Sequence, residues 1–305
     1  MAADAITGNK RALVLGGGGV AGAAWLIGLM TGFADTGLEL LDADLVLGTS
    51  AGANVAAQIT SALSFEALYR RQTDLCFQTI EPIPDASLLA EAIAMRPYFL
   101  AAGDPGAIRR RRGRYATQVQ TISEAERRAV IASRLPSHEW PSHPLKLVAV
   151  DAETGEGRVF DRHSGVSLID AVAASSAVPG VWPTATIAGR RYTDGGVRSP
   201  ENADLAAGFE SILIISPVGR HFLATPPRDL GGDIAALERG GSRVMLIEPD
   251  QPSRNAITPN LLDPTTRAPA ALAGRTQGRG GAMAVAAFWS RTGGANDAAA
   301  SAAAQ

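Results

Sequence analysis

At 305 residues, 46% of them hydrophobic and 19% charged, the chain has the composition of a globular protein of one or two domains. A formal net charge of -2 gives no support for a nucleic-acid partner, which normally shows as a basic domain. The single cysteine, Cys76, excludes an intrachain disulfide framework, and four histidines without paired ligand spacing supply metal chemistry poorly, so neither a metal nor a cofactor is expected.

Residues 1–9 read as a disordered leader. Arg11 to Leu15 is a short apolar run of the kind that forms a strand buried on both faces. It runs into Gly16-Gly17-Gly18-Gly19-Val20-Ala21-Gly22, followed by an apolar helix from Ala23 to Ala34. The stretch from Ala12 to Ala34 carries no charge and is long enough to pass for a membrane span. However, each consecutive glycine costs a helix interior roughly 1 kcal/mol relative to alanine, and no convincing cleavage site follows. Strand, glycine loop and buried helix in a cytoplasmic protein is the better reading.

The loop itself admits two readings. Gly17, Gly19 and Gly22 satisfy the dinucleotide pattern G-x-G-x-x-G, but that motif needs an acid at the end of the second strand to hold the ribose. Asp42 and Asp44 lie at the beginning of that strand, the wrong end of a parallel sheet. The second reading is an oxyanion hole, in which glycines turn backbone N–H groups into a cavity where negative charge develops.

Leu45 to Leu47 is a second apolar run, and it leads into Gly48-Thr49-Ser50-Ala51-Gly52 and a small-residue helix from Ala51 to Ser61. This is the form of a tight strand-to-helix turn that lifts one hydroxyl clear of a sheet. Gly48 and Gly52 fit because side chains there would collide with the neighbouring strand or the new helix. The plain alternative is a strand–turn–helix connection with a capping serine. Both loops follow parallel strands, so both should emerge at the same edge of the sheet.

From Phe65 to about Pro144 the pattern is irregular and helical, broken at Pro82, Pro84, Pro97, Pro105 and Pro136. Residues from about 62 to 144 therefore form an inserted helical cap over the site. The run from Arg109 to Arg114 within it reads as a solvated helix face, with transient contact to anionic lipid headgroups as the alternative.

Lys146 to Val150 is a strand, with Arg158 to Phe160 as its hairpin partner, and a helix follows from Ser167 to Ser175. Arg190 to Thr193 leads into the tight turn Asp194-Gly195-Gly196. Ser211 to Ile215 and Arg243 to Ile247 read as two more buried strands, separated by a short helix from Ile234 to Arg239. A last helix spans 267–289, and 290–305 read as a disordered Ala/Gly-rich tail.

In this order the motifs resemble those of the bacterial patatin-like phospholipases. Gly17-Gly18-Gly19-Val20-Ala21-Gly22 matches the family's G-G-G-x-[RK]-G loop, Gly48 to Gly52 its G-x-S-x-G motif, and Asp194-Gly195-Gly196 its D-G-[AG] motif. The run Ala174 to Gly180 also resembles the segment that precedes the family's aspartate motif. The resemblance covers roughly Arg11 to Trp289. It implies one domain over 10–289 with a three-layer α/β/α fold and a central, mostly parallel sheet. It also implies a Ser50–Asp194 dyad without a catalytic histidine, an oxyanion hole at Gly17, Gly18 and Gly19, and a lipid acyl-ester substrate. The family usually has Arg or Lys where this chain has Ala21, so no loop cation is present to assist the oxyanion or a substrate phosphate.

For that mechanism Asp194 must be partly desolvated and bonded directly to Ser50, because an aspartate of ordinary pKa, about 3.9, is a weak base at neutral pH. Two rivals remain at this level. One is a Ser–acid–His triad using His221, the only histidine after Asp194. The other is a non-catalytic lipid or acyl-group binder on the same fold.

Overall fold

The computed structural model describes residues 10–219, 229–257 and 260–290. The expected leader (1–9), His221 and all of the expected tail except Ser290 lie outside the described residues.

In chain order the first elements are β1 (Arg11–Leu15), α1 (Gly19–Ala34), β2 (Leu45–Thr49) and α2 (Ala51–Ile59). Five helices then precede the next strand: α3 (Phe65–Thr73), α4 (Ala86–Ala94), α5 (Arg96–Leu100), α6 (Pro105–Gln118) and α7 (Glu124–Arg134). β3 (Leu145–Asp151) and β4 (Gly157–Phe160) form a hairpin, followed by α8 (Leu168–Ser175), β5 (Ala185–Ile187) and β6 (Arg190–Asp194). The chain continues through β7 (Ser211–Ile215), α9 (Leu230–Arg239), β8 (Arg243–Ile247), α10 (Gln251–Ile257) and α11 (Arg267–Trp289).

The sheet has the strand order β5-β6-β3-β2-β1-β7-β8, with β4 paired to β3 off this path. β3, β2, β1, β7 and β8 run parallel, whereas the β3–β4, β3–β6 and β5–β6 pairs are antiparallel. Side-chain alternation along the strands builds two cores. Leu13, Leu15, Val46, Leu213 and Ile215 join α1, α2, α8 and α11 on one face, and Ala12, Val14, Ile212 and Ile214 meet α9 on the other. The fold is α/β, a mixed, mostly parallel sheet flanked by helices.

One detail of register places the site. β2 pairs with β3 up to Thr49 opposite Val148, and β6 pairs with β3 from Tyr192 opposite Asp151 to Asp194 opposite Ala149. β4 pairs residues that β2 and β6 also pair, so it occupies the far edge of β3 and leaves the near edge to both. β2 and β6 therefore meet head to head on one edge of β3. The residues after Thr49 and at Asp194 are forced together.

Some expectations need correction. The first helix begins at Gly19, not Ala23, because the last loop glycine already takes part in its first turn. Arg243–Ile247 is not a buried strand: it forms the sheet edge and its residues are half-buried or exposed. The three-residue β5 is too short to carry a readable pattern. Among the described residues, no helix is long and apolar enough to cross a membrane. α1 is apolar all round because α2, α3 and α11 pack around it above the sheet.

Candidate active site

The turn from β2 to α2 holds Ser50 at φ 56° and ψ -115°, a conformation that costs a non-glycine residue on the order of 1–2 kcal/mol. Two neighbours make it tolerable. The Ser50 N–H donates to Ser175 Oγ (3.0 Å), whose hydroxyl in turn donates to the Val148 carbonyl (2.6 Å). A Cβ on Gly52 would lie 2.0 Å from the Leu15 carbonyl oxygen, so only glycine lets α2 start this close to the end of β1.

Ser50 Oγ donates to Asp194 Oδ2 at 2.7 Å, and the Gly196 N–H donates to Oδ1 at 2.7 Å. Both residues are buried, Ser50 8% exposed and Asp194 4%. Burial lifts the Asp194 pKa to about 6. The Ser50 hydroxyl, the Gly196 amide and the charges of Arg112 and Arg127 act in the opposite direction.

Residues 174–180 connect the two motifs. Ser175 anchors the Ser50 backbone, and the Ala177 carbonyl accepts from the Asp194 N–H (2.9 Å) and from Thr193 Oγ1 (2.8 Å). Beneath them the buried Asn202 amide donates to Thr49 Oγ1 (3.1 Å) and to the Ser199 carbonyl (2.7 Å). Gly195 packs where a Cβ would stand 2.3 Å from the Val148 carbonyl oxygen, which admits the turn against β3. Gly48 has the same role under α2, where a Cβ would lie 2.7 Å from the Ala53 Cα.

The glycine loop lies beside the serine, since a Cβ on Gly17 would sit 3.3 Å from Ser50 Cβ. Its amides are not equivalent. The Gly17 N–H donates to the Pro200 carbonyl (2.9 Å), which removes it from the expected set of oxyanion donors. The Gly18 and Gly19 N–H groups have no acceptor among the described residues. Gly19 has φ 63°, and Gly18 and Gly22 pack on Pro217, where a Cβ on either would come within 2.6 Å and 2.9 Å of its Cβ. Ala21 is wholly buried in the core, and its N–H donates to the Leu261 carbonyl (3.0 Å). An Arg or Lys there would bring its charge into an apolar environment.

Ser50 opens on a cleft with about 660 Å³ of empty space, part of it continuous with solvent. Val20, Ala23, Val178, Trp182 and Leu262 give it apolar wall, and α3, α7 and the N-terminus of α11 bring arginines. Arg127 and Arg112 are residues that sequence reasoning missed. Arg112 belongs to the basic run assigned to a solvated face, yet it is half-buried and its charge reaches Asp194. Elsewhere in that run Arg109 Nε donates to the Gly155 carbonyl (2.6 Å), and Arg111 stacks on Tyr98 and donates to its carbonyl (2.9 Å). The run is partly built into the fold rather than presented as one basic patch.

Residues 13–207 match the family described as Patatin-like phospholipase, well over half of the chain. The chain belongs to the patatin-like phospholipase family. No curated protein matches it. Among solved structures it is similar to VipD from Legionella pneumophila, at 13% identity and a TM-score of 0.45, over 92% of this chain and 67% of that one. It is also similar to the type III effector protein ExoU, at 15% identity and a TM-score of 0.41, over 91% of this chain and 54% of that one. It thus spans about half the length of ExoU. The register of β2, β3 and β6 explains how Ser50 and Asp194 come together.

Proposed function

We propose that the protein is a serine acyl hydrolase that cleaves carboxylic ester bonds of lipids through Ser50 and Asp194. The observation that carries this reading is the buried 2.7 Å hydrogen bond from Ser50 Oγ to an aspartate whose pKa is about 6. Such a carboxylate is mostly ionised at neutral pH, yet more basic than an exposed aspartate.

As Ser50 Oγ attacks the ester carbonyl, its proton passes to Asp194. The carbonyl oxygen becomes an oxyanion held by the Gly18 and Gly19 N–H groups at the start of α1, where the helix dipole adds to the attraction. Collapse of the tetrahedral intermediate expels the alcohol, which takes the proton from Asp194, and leaves an acyl-enzyme. Water then attacks the acyl carbon and gives its proton to Asp194. The second collapse releases the fatty acid and returns the proton to Ser50 Oγ.

The segment between α3 and α4 supports contact with a lipid surface. It contributes Thr79 and Glu81 to the cleft while exposing Leu75, Ile80 (90% exposed) and Ile83. Apolar side chains at the mouth of a lipid-hydrolase cleft would enter the interfacial region of a bilayer. Replacing Ile80 and Ile83 together by Glu should weaken co-sedimentation with phospholipid vesicles severalfold and leave turnover of a soluble short-chain ester intact.

The catalytic reading is tested by a fluorophosphonate probe. Stoichiometric labelling that maps to Ser50 and disappears in Ser50→Ala is the expected result. A folded wild-type protein that stays unlabelled would favour a binder without catalysis.

A further inference from the structure

The cleft beside Ser50 brings together four guanidiniums, from Arg71 on α3, Arg127 and Arg134 on α7, and Arg267 at the start of α11, against one carboxylate, Glu81. Like charges repel strongly when water is excluded, and Arg267 carries such repulsion from both Arg71 and Arg134.

Two of the four serve the fold. Arg71 donates to the carbonyls of Ser133 (3.0 Å) and Arg134 (3.1 Å) at the end of α7. Arg267 donates to the carbonyls of Arg71 (2.9 Å) and Thr79 (3.1 Å) and to Gln72 Oε1 (3.2 Å). These acceptors are neutral, so they satisfy hydrogen bonds and offset only part of the charge.

The other two are incompletely matched. Arg127 is 4% exposed, and among the described residues its Nε and Nη1 have no hydrogen-bond acceptor; Nη1 faces Glu81 Oε1 only at 3.7 Å. Its guanidinium lies on the face of Trp182, 4.1 Å from the ring centroid. Arg134 donates to Glu81 and to Asn54 Oδ1, while its Nε has no acceptor among the described residues. Burial and then the charge of Arg134 push the Arg127 pKa down to about 9, with Glu81 and Asp194 acting in the opposite direction. Buried polar groups left without partners are costly, and planar guanidiniums are suited to oxyanions.

We propose that Arg127 and Arg134, reinforced by Arg71 and Arg267, form an anion subsite in the Ser50 cleft that holds an oxyanion carried by the ester substrate. The preferred substrate is then an anionic acyl ester, held by cations from α3, α7 and α11. The proposal rests on the acyl-hydrolase reading, from which its test can be separated.

The test compares dihexanoyl phosphatidic acid with dihexanoylglycerol, both kept below their micellar concentrations, so that the phosphate is the only difference and no charged surface contributes. The readout is the ratio of kcat/KM for the two esters in wild type, Arg134→Gln and Arg127→Lys. In wild type the ratio should favour the phosphate ester, and Arg134→Gln should lower it by about tenfold or more, mainly through KM. Arg127→Lys, which keeps the charge but loses the fork, should lower it less. A ratio near one in wild type, or one unchanged in both folded variants, overturns the proposal.

If wild type cleaves neither ester, the acyl-hydrolase reading fails instead. Equilibrium binding of ether-linked analogues of the two lipids then carries the test: phosphate-dependent binding weakened in Arg134→Gln supports the subsite, and equal binding of both analogues rejects it. Competitive inhibition by inorganic phosphate would show that the subsite also takes the free ion. Its absence, with the ratio still responding to Arg134→Gln, would assign the subsite to the headgroup.

Discussion

Ser50 combines an unfavourable backbone conformation with a hydroxyl bonded to the buried Asp194 carboxylate. The cost of that conformation can be isolated by comparing two variants at this position. Ser50→Gly and Ser50→Ala both remove the hydroxyl, but only glycine accepts φ 56° without strain. Ser50→Gly should unfold at a free energy about 1 kcal/mol above Ser50→Ala in denaturant titrations. Equal stabilities would mean that the turn relaxes when the hydroxyl is lost.

Glu201, buried beside the glycine loop and accepting from Ser216 Oγ (2.5 Å), has its pKa raised to about 7 by burial and then by the charges of Asp233 and Glu248. Its ordinary value is 4.5, so between pH 4.5 and 7 the unfolded chain ionises first. Stability therefore falls as pH rises through that window and is unaffected by this group below it. Glu201→Gln should remove most of that decline, read as a Tm gain over wild type at pH 8 that vanishes at pH 4.

Helix packing makes a sharper prediction at the scale of elements. α1 and α11 approach through glycines on both sides. A Cβ on Gly28 would lie 2.1 Å from the Ala271 carbonyl oxygen, and one on Gly278 2.3 Å from that of Leu29. Gly28→Leu should cost more than about 3 kcal/mol or prevent folding, because overpacking here meets backbone rather than a movable side chain. Gly280 and Gly281, also on α11, have open space where a methyl group would stand, with nothing within 4 Å. Replacing both by Ala should raise the Tm, since each such helical glycine costs roughly 0.5–1 kcal/mol. Opposite signs within one helix pair are the diagnostic result.

Across the whole molecule, the parallel strands, the hairpin partner and both loop motifs were legible because each rests on local chemistry, such as the apolar run Arg11–Leu15 or the sequence Gly48 to Gly52. What lay out of reach depended on pairing between distant segments. Nothing near Gly17 announces that its N–H is taken by Pro200. Nothing near Ser175 or Asn202 announces that they brace the site, although the run from Ala174 to Gly180 gave a hint. The arginines of α7 sit in an ordinary charged amphipathic pattern, and only the packing of α3, α7 and α11 turns them inward toward one cleft. His221 lies outside the described residues. Because the dyad reading assigns it no role, His221→Ala should retain nearly full turnover.

The central claim, that Asp194 is the base for Ser50, is tested most directly by kcat/KM for a short-chain p-nitrophenyl ester across pH 4 to 9. Wild type, Ser50→Ala and Asp194→Asn are compared, each shown to be folded. Because the base must be ionised, wild-type activity should rise through about pH 6 and level off above it. Both variants should lose activity by at least about a hundredfold at the plateau. A folded Asp194→Asn that keeps wild-type activity and the same pH profile would contradict the account.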